Sequence, residues 1–87
     1  MKKEILQEAR KQVGLYLQDI LKQKGWRRAE LARRTGLTRE QIKWIMEGDR
    51  SYTIDSFLRV IQSLDCYFYL ADRRGKQLDP QDMIRKW

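Results

Sequence analysis

The stretch Leu31–Gly48, LARRTGLTREQIKWIMEG, decides the fold. Leu31, Ala32, Arg33 and Arg34 close one short helix, and Thr35-Gly36-Leu37 makes a tight turn. Gly36 stands where a chain leaving a helix needs the left-handed conformation, which glycine adopts without steric cost. Thr38 fits the N-cap of a second helix, because its hydroxyl can accept from amides two or three residues on. Gln41 follows three residues later and completes a capping box. Ile42, Ile45 and Met46 recur at helical spacing, and Gly48 ends the helix. Ala32 is small where the two helices should cross, and Leu37 and Ile42 can pack on Leu31 across the turn.

Two helices joined by such a turn form a helix-turn-helix, whose second helix enters the DNA major groove. Residues Trp26 to Leu64 resemble the Cro/C1 type (XRE, lambda-repressor-like) of helix-turn-helix domain. The resemblance rests on Leu31-Ala32, Gly36-Leu37-Thr38, Ile42, Ile45, Gly48, Thr53-Ile54, Phe57-Leu58, Val60 and Leu64. It implies a mainly α fold: a bundle of four helices, followed here by a C-terminal β-strand or hairpin and a short terminal helix. Residues 1–65 would form the helical DNA-binding domain. Residues 66–87 would add a dimerisation element to the same domain.

Composition agrees with one small soluble domain. Eighty-seven residues carry a net charge of +7, with 36% charged residues and one proline. A chain of this size buries only roughly 60–65% of its unfolded surface, which favours help from a partner subunit. The sequence pI of about 9.9 suggests an anionic partner. The charge is also concentrated. Lys22, Lys24, Arg27, Arg28, Arg33, Arg34 and Arg39 face only Glu30 between positions 22 and 39, so 7 − 1 = +6 lies on and just before the helix-turn-helix.

Cys66 is the lone cysteine and reads as a buried, inert one; there is no histidine. With no Gly-rich phosphate loop and no metal-ligand cluster, catalysis, metals and cofactors are not expected. The lack of a signal peptide or an apolar run of spanning length leads to the expectation of a cytoplasmic protein without a membrane partner.

Taken in order, Lys3 to Lys24 reads as a helix. Ile5, Ala9, Val13, Leu17 and Leu21 repeat along it, with Leu6, Tyr16 and Ile20 alongside. Gly14 interrupts the run at a cost of about 1 kcal/mol relative to alanine, marking either a break or a close packing contact. The family's first helix needs only the second half of this run. Residues 2 to 11 are surplus, and cover either the core or a dimer contact. Trp26 reads as a core residue. Arg27 and Arg28 stand where the family often has Thr-Gln, so the usual threonine cap is lost while both can reach phosphate. Arg33 and Arg34 are either a solvated face or phosphate contacts.

By resemblance, the base-reading positions are Arg39, Glu40, Lys43 and Trp44. Arg39 could grip guanine O6 and N7, and Glu40 could accept from cytosine N4. Trp44 could stack in the groove or pack under the domain. Expected backbone contacts are Arg27, Arg28, Thr38, Gln41, Arg50, Ser51 and Tyr52. Gln41 could instead read adenine. Met46 replaces the glutamate common in the family. Thr53 caps the next helix, whose apolar face is Ile54, Phe57, Leu58, Ile61 and Leu64.

Cys66-Tyr67-Phe68-Tyr69-Leu70 reads as a strand, with a turn at Asp72–Gly75. No earlier strand is available to pair with it. It therefore either pairs with its twin through Tyr67, Phe68, Tyr69 and Leu70, or folds back as a hairpin. The first option resembles the antitoxin subgroup typified by the partner of the HipA kinase toxin. Asp79-Pro80 opens a last short helix carrying Met83, Ile84 and Trp87.

The resulting expectation is a sequence-specific regulator, a repressor by family resemblance, binding double-stranded DNA as a homodimer. Two alternatives stand beside it. One is an antitoxin that binds DNA and also neutralises a toxin protein. The other is a protein-interaction module without specific DNA binding.

Overall fold

A computed structural model describes residues 3–68. The elements are α1 (Lys3–Lys24), α2 (Arg28–Thr35), α3 (Arg39–Glu47) and α4 (Ile54–Ser63). Each boundary has a local chemical cause. Lys24 gives way to Gly25 at φ 72°, where the amides of Gly25 and Trp26 donate back to the carbonyls of Lys22 and Leu21 at 3.0 and 3.2 Å. That pair of bonds satisfies two terminal carbonyls of α1. Arg27 caps α2 in extended conformation without a side-chain bond, as the missing threonine implies.

The turn between α2 and α3 is closed from both sides. The Gly36 amide donates to the Ala32 carbonyl at 2.9 Å, with φ 75°. Buried Thr35 donates its hydroxyl to the Leu31 carbonyl at 2.8 Å and accepts from the Leu37 amide at 3.2 Å. Thr38 and Gln41 form the expected reciprocal capping box, with bonds of 2.9 and 3.1 Å. Thr53 caps α4 by accepting from the Ser56 amide at 3.1 Å.

One core holds the helices together. Leu31, Ile42, Ile45, Met46, Val60 and Leu64 are each under 2% exposed. Leu17 and Leu21 from α1, Leu37 from the turn, and Phe57 and Ile61 from α4 complete it. Burying one such side chain is worth about 1.5–3 kcal/mol. Met46 is fully buried among apolar neighbours. Trp26, Ala32 and Leu58 pack at the edge of this core.

Gly14 is a contact and not a break: α1 runs unbroken through it. A Cβ at Gly14 would overlap the Met46 carbonyl oxygen and lie 2.9 Å from its carbon. Gln18, one turn later, donates Nε2 to that same oxygen at 2.5 Å. The last turn of α3 therefore rests directly on α1.

Five apolar positions depart from the sequence reading. Ile5 is 54% exposed, Tyr16 72% and Ile54 59%. Leu6 and Ala9 are exposed as well, so the first turns of α1 do not extend the core. The reason is geometric: α1 meets the core only from Val13 onward, and its first turns run past α3. Ile54 opens α4 and falls outside the buried stripe, beside a groove lined by Val13, Tyr52, Phe57 and Phe68.

Beyond α4, Asp65 takes a left-handed φ of 57°, and the amides of Asp65 and Cys66 bond back to Gln62 and Ile61 at 3.0 Å each. Cys66, Tyr67 and Phe68 carry no strand pairing among the described residues. Phe68 packs edge-on against Phe57 at 5.4 Å, and Tyr67 is exposed. The rest of the expected strand, Tyr69 and Leu70, and the terminal helix with Met83, Ile84 and Trp87 lie outside the described residues. Among those described, no helix is long and apolar enough to cross a membrane.

Candidate nucleic-acid interface

The capping box fixes where α3 begins, and burial of Ile42, Ile45 and Met46 fixes which side turns inward. Arg39, Glu40 and Lys43 are consequently exposed. They occupy the first two turns of α3, with no hydrogen-bond partner for Arg39, Glu40 or Lys43 among the described residues. All three expected base-reading charges are thus presented together.

Trp44 is placed differently. It is half-buried, and the Arg50 guanidinium lies over its ring, 4.2 Å from the centroid. A cation over an indole face is worth about 0.5–1 kcal/mol at an exposed site. The contact couples α3 to the loop that leaves it. A cavity of about 320 Å³ sits between the two, lined by Gln41, Trp44, Ser51, Tyr52, Thr53 and Ser56.

Gln41 is committed to the capping box. Its Oε1 accepts from the Thr38 amide, which leaves its Nε2 as the free donor. Thr38 accepts with its hydroxyl oxygen, so the hydroxyl hydrogen stays available to an external acceptor. Ser51 is exposed and Tyr52 half-buried, its ring stacked on Phe57 at 6.2 Å between centroids. Burial pushes the Tyr52 phenol above its ordinary value, with the Arg10 charge opposing. A neutral phenol can still donate to an anion.

At the start of α2, Arg27 is exposed, while Arg28 donates Nη1 to Glu47 Oε2 at 2.9 Å. Both side chains are about two-fifths exposed, at 44% and 40%, so the pair is weak and can open to a phosphate. Positions 28 and 47 are far apart in the chain, and nothing in the local spacing announces this pair.

The arginines of the last turn of α2 are tied together by Glu30. Its carboxylate accepts from Arg33 Nη2 at 2.6 Å and from Arg34 Nε at 2.8 Å. These hydrogen bonds, from Arg33 first and Arg34 second, hold the Glu30 carboxyl down to about 2. Arg34 also lies over the Trp26 ring at 4.1 Å, with Lys24 at 5.4 Å. The i,i+3 and i,i+4 spacing of Glu30 with these arginines is the sequence signal for that cluster.

Neither a protein-family profile nor a curated protein matches the chain. Among solved structures, a chain of a HipA–HipB–O2–O3 complex shares the fold. The alignment covers 74% of this chain and 90% of that one, with 25% identity and a TM-score of 0.67. A structure described as MDT protein gives the same figures. These likenesses support a helix-turn-helix, antitoxin-like fold.

Proposed function

We propose that this chain is a DNA-binding helix-turn-helix protein of antitoxin-like kind, which binds a near-palindromic operator as a homodimer and represses transcription there. The observation that carries the reading is the capped α3 presenting Arg39, Glu40 and Lys43 together. Arg39 reads guanine, Glu40 accepts from cytosine, Lys43 reaches a second base, and Trp44 flanks them. Arg27, Arg28, Thr38, Gln41, Arg50, Ser51 and Tyr52 hold the phosphates on either side. The protein binds and releases DNA without covalent chemistry.

Two recognition helices would read half-sites about one helical turn (~34 Å) apart, with dimerisation through Tyr67 to Leu70. The test is binding to duplex DNA over a salt series. Log affinity should fall linearly with log salt, at a slope of about −0.9 per phosphate contacted. A flat salt dependence would overturn the reading and favour a module that binds protein alone.

A second protein partner is favoured by one specific finding, the likeness to a chain from a complex of HipA and HipB. In that reading the chain also neutralises a toxin, and its C-terminal segment with Met83, Ile84 and Trp87 is the contact. Co-expression with a neighbouring toxin gene should yield a stable complex; separate elution of the two proteins would contradict it.

A further inference from the structure

Gly48 ends α3 with its backbone pressed against α1. A Cβ there would lie 2.5 Å from the Arg10 carbonyl carbon and 2.6 Å from both the Arg10 oxygen and the Lys11 nitrogen. No side chain can occupy that space. The third turn of α1 is therefore held against the loop that leaves the recognition helix.

The close approach has a consequence for charge. Lys3, Gln7 and Arg10 follow one another at helical spacing on one face of α1. Together with Leu6 they line a groove of about 510 Å³, whose other wall is Asp49, Arg50 and Ser51. Its charges are Lys3, Arg10 and Arg50 against Asp49, so 3 − 1 = +2. Gln7 and Ser51 add neutral donors. The Arg10 Nε is buried without a hydrogen-bond partner among the described residues. The Arg10 side chain also lines the groove, where a guanidinium makes strong charge-assisted hydrogen bonds to an anionic acceptor.

The groove also continues an existing line of cations. Arg50 belongs both to this groove and to the Trp44 contact on α3. From α3, the positive surface thus passes through Arg50 to Arg10 and Lys3. A strand of phosphates bordering the major groove offers an anion at every nucleotide along such a path.

We infer that the groove between the first turns of α1 and the Asp49–Ser51 loop is a phosphate-binding surface, which extends DNA contact past the helix-turn-helix onto α1. It rests on the DNA-binding reading above. Lys3 and Arg10 neutralise phosphates flanking the half-site, Gln7 and Ser51 donate to their oxygens, and Asp49 limits how close the strand comes. This contact is blind to sequence. It gives the surplus turns of α1 a role that core packing does not.

The test uses the full chain with the variants Lys3→Gln, Arg10→Gln and Arg10→Lys, each first checked for helical content and thermal melting. On a duplex bearing the selected site, Lys3→Gln and Arg10→Gln should each reduce the steepness of log affinity against log salt by about 0.9. Arg10→Lys should keep the wild-type slope. The preferred sequence should be unchanged in all three. Trimming the duplex to the half-sites alone should weaken wild type more than the Lys3→Gln, Arg10→Gln double variant.

Unaltered slopes and equal sensitivity to trimming, in variants that still bind and melt normally, would overturn this proposal while the DNA-binding reading stood. If Arg10→Gln fails to fold, exposed Lys3 decides the matter alone. Absence of DNA binding by the wild-type chain would overturn the underlying reading, and this one with it.

Discussion

Gly14 and Met46 meet where α1 crosses α3, so closely that a Cβ on Gly14 would overlap the Met46 carbonyl oxygen. The glycine lies mid-helix, where alanine would ordinarily gain about 1 kcal/mol. Here overpacking against backbone costs about 1–3 kcal/mol and takes that gain away. Gly14→Ala should therefore lower the denaturation midpoint. An increase would mean that the helices can part at this point without loss.

The capping box supplies a second prediction. Thr38→Ala removes the acceptor for the Gln41 amide at the start of α3. The expected loss is about 1 kcal/mol of folding stability, read by chemical denaturation. The core residues of α3 are untouched, so the variant should still fold. No change in stability would show that the box contributes nothing to the fold.

Glu30 makes stability depend on acid. Its carboxyl is held near 2 in the fold, below the ordinary 4.5. A lowered carboxylate stabilises the fold above its unfolded value and loses that contribution as pH falls through the folded one. The stability difference between wild type and Glu30→Gln should therefore shrink between pH 4.5 and 2. Since Glu30 and both arginines are open to water, raised salt should shrink it too. A constant difference across that range would contradict the assignment.

Arg39 is exposed at the start of α3 and has no part in the core. Arg39→Gln should leave the melting temperature unchanged. It should relax the preference at one base pair of each half-site by about 1–3 kcal/mol, measured by competition between sequences. A uniform loss across all sequences would make Arg39 a phosphate contact instead.

Much of this structure is legible in local chemistry. Thr38 with Gln41, Gly36, Gly48 and Thr53 are start and stop signals that act within one turn, and the helices begin and end on them. The face carrying Arg39, Glu40 and Lys43 follows from which neighbours are apolar. What the chain does not announce depends on distant partners. Ile5, Tyr16 and Ile54 look like core because periodicity says which side of a helix is apolar, and not what lies against it. Arg28 with Glu47 and Arg50 over Trp44 join elements whose approach is set by the whole fold. Gly14 is ambiguous in the same way until α3 is seen to rest on it.

Base reading by α3 is tested most directly by selecting binding sites from a randomised duplex library at physiological salt and sequencing them. A base-reading dimer should select a near-palindromic site with two half-sites about one turn (~34 Å) apart and a guanine where Arg39 enters. Binding that is weak, salt-sensitive and without sequence preference would contradict it, and would make the basic face a generic one.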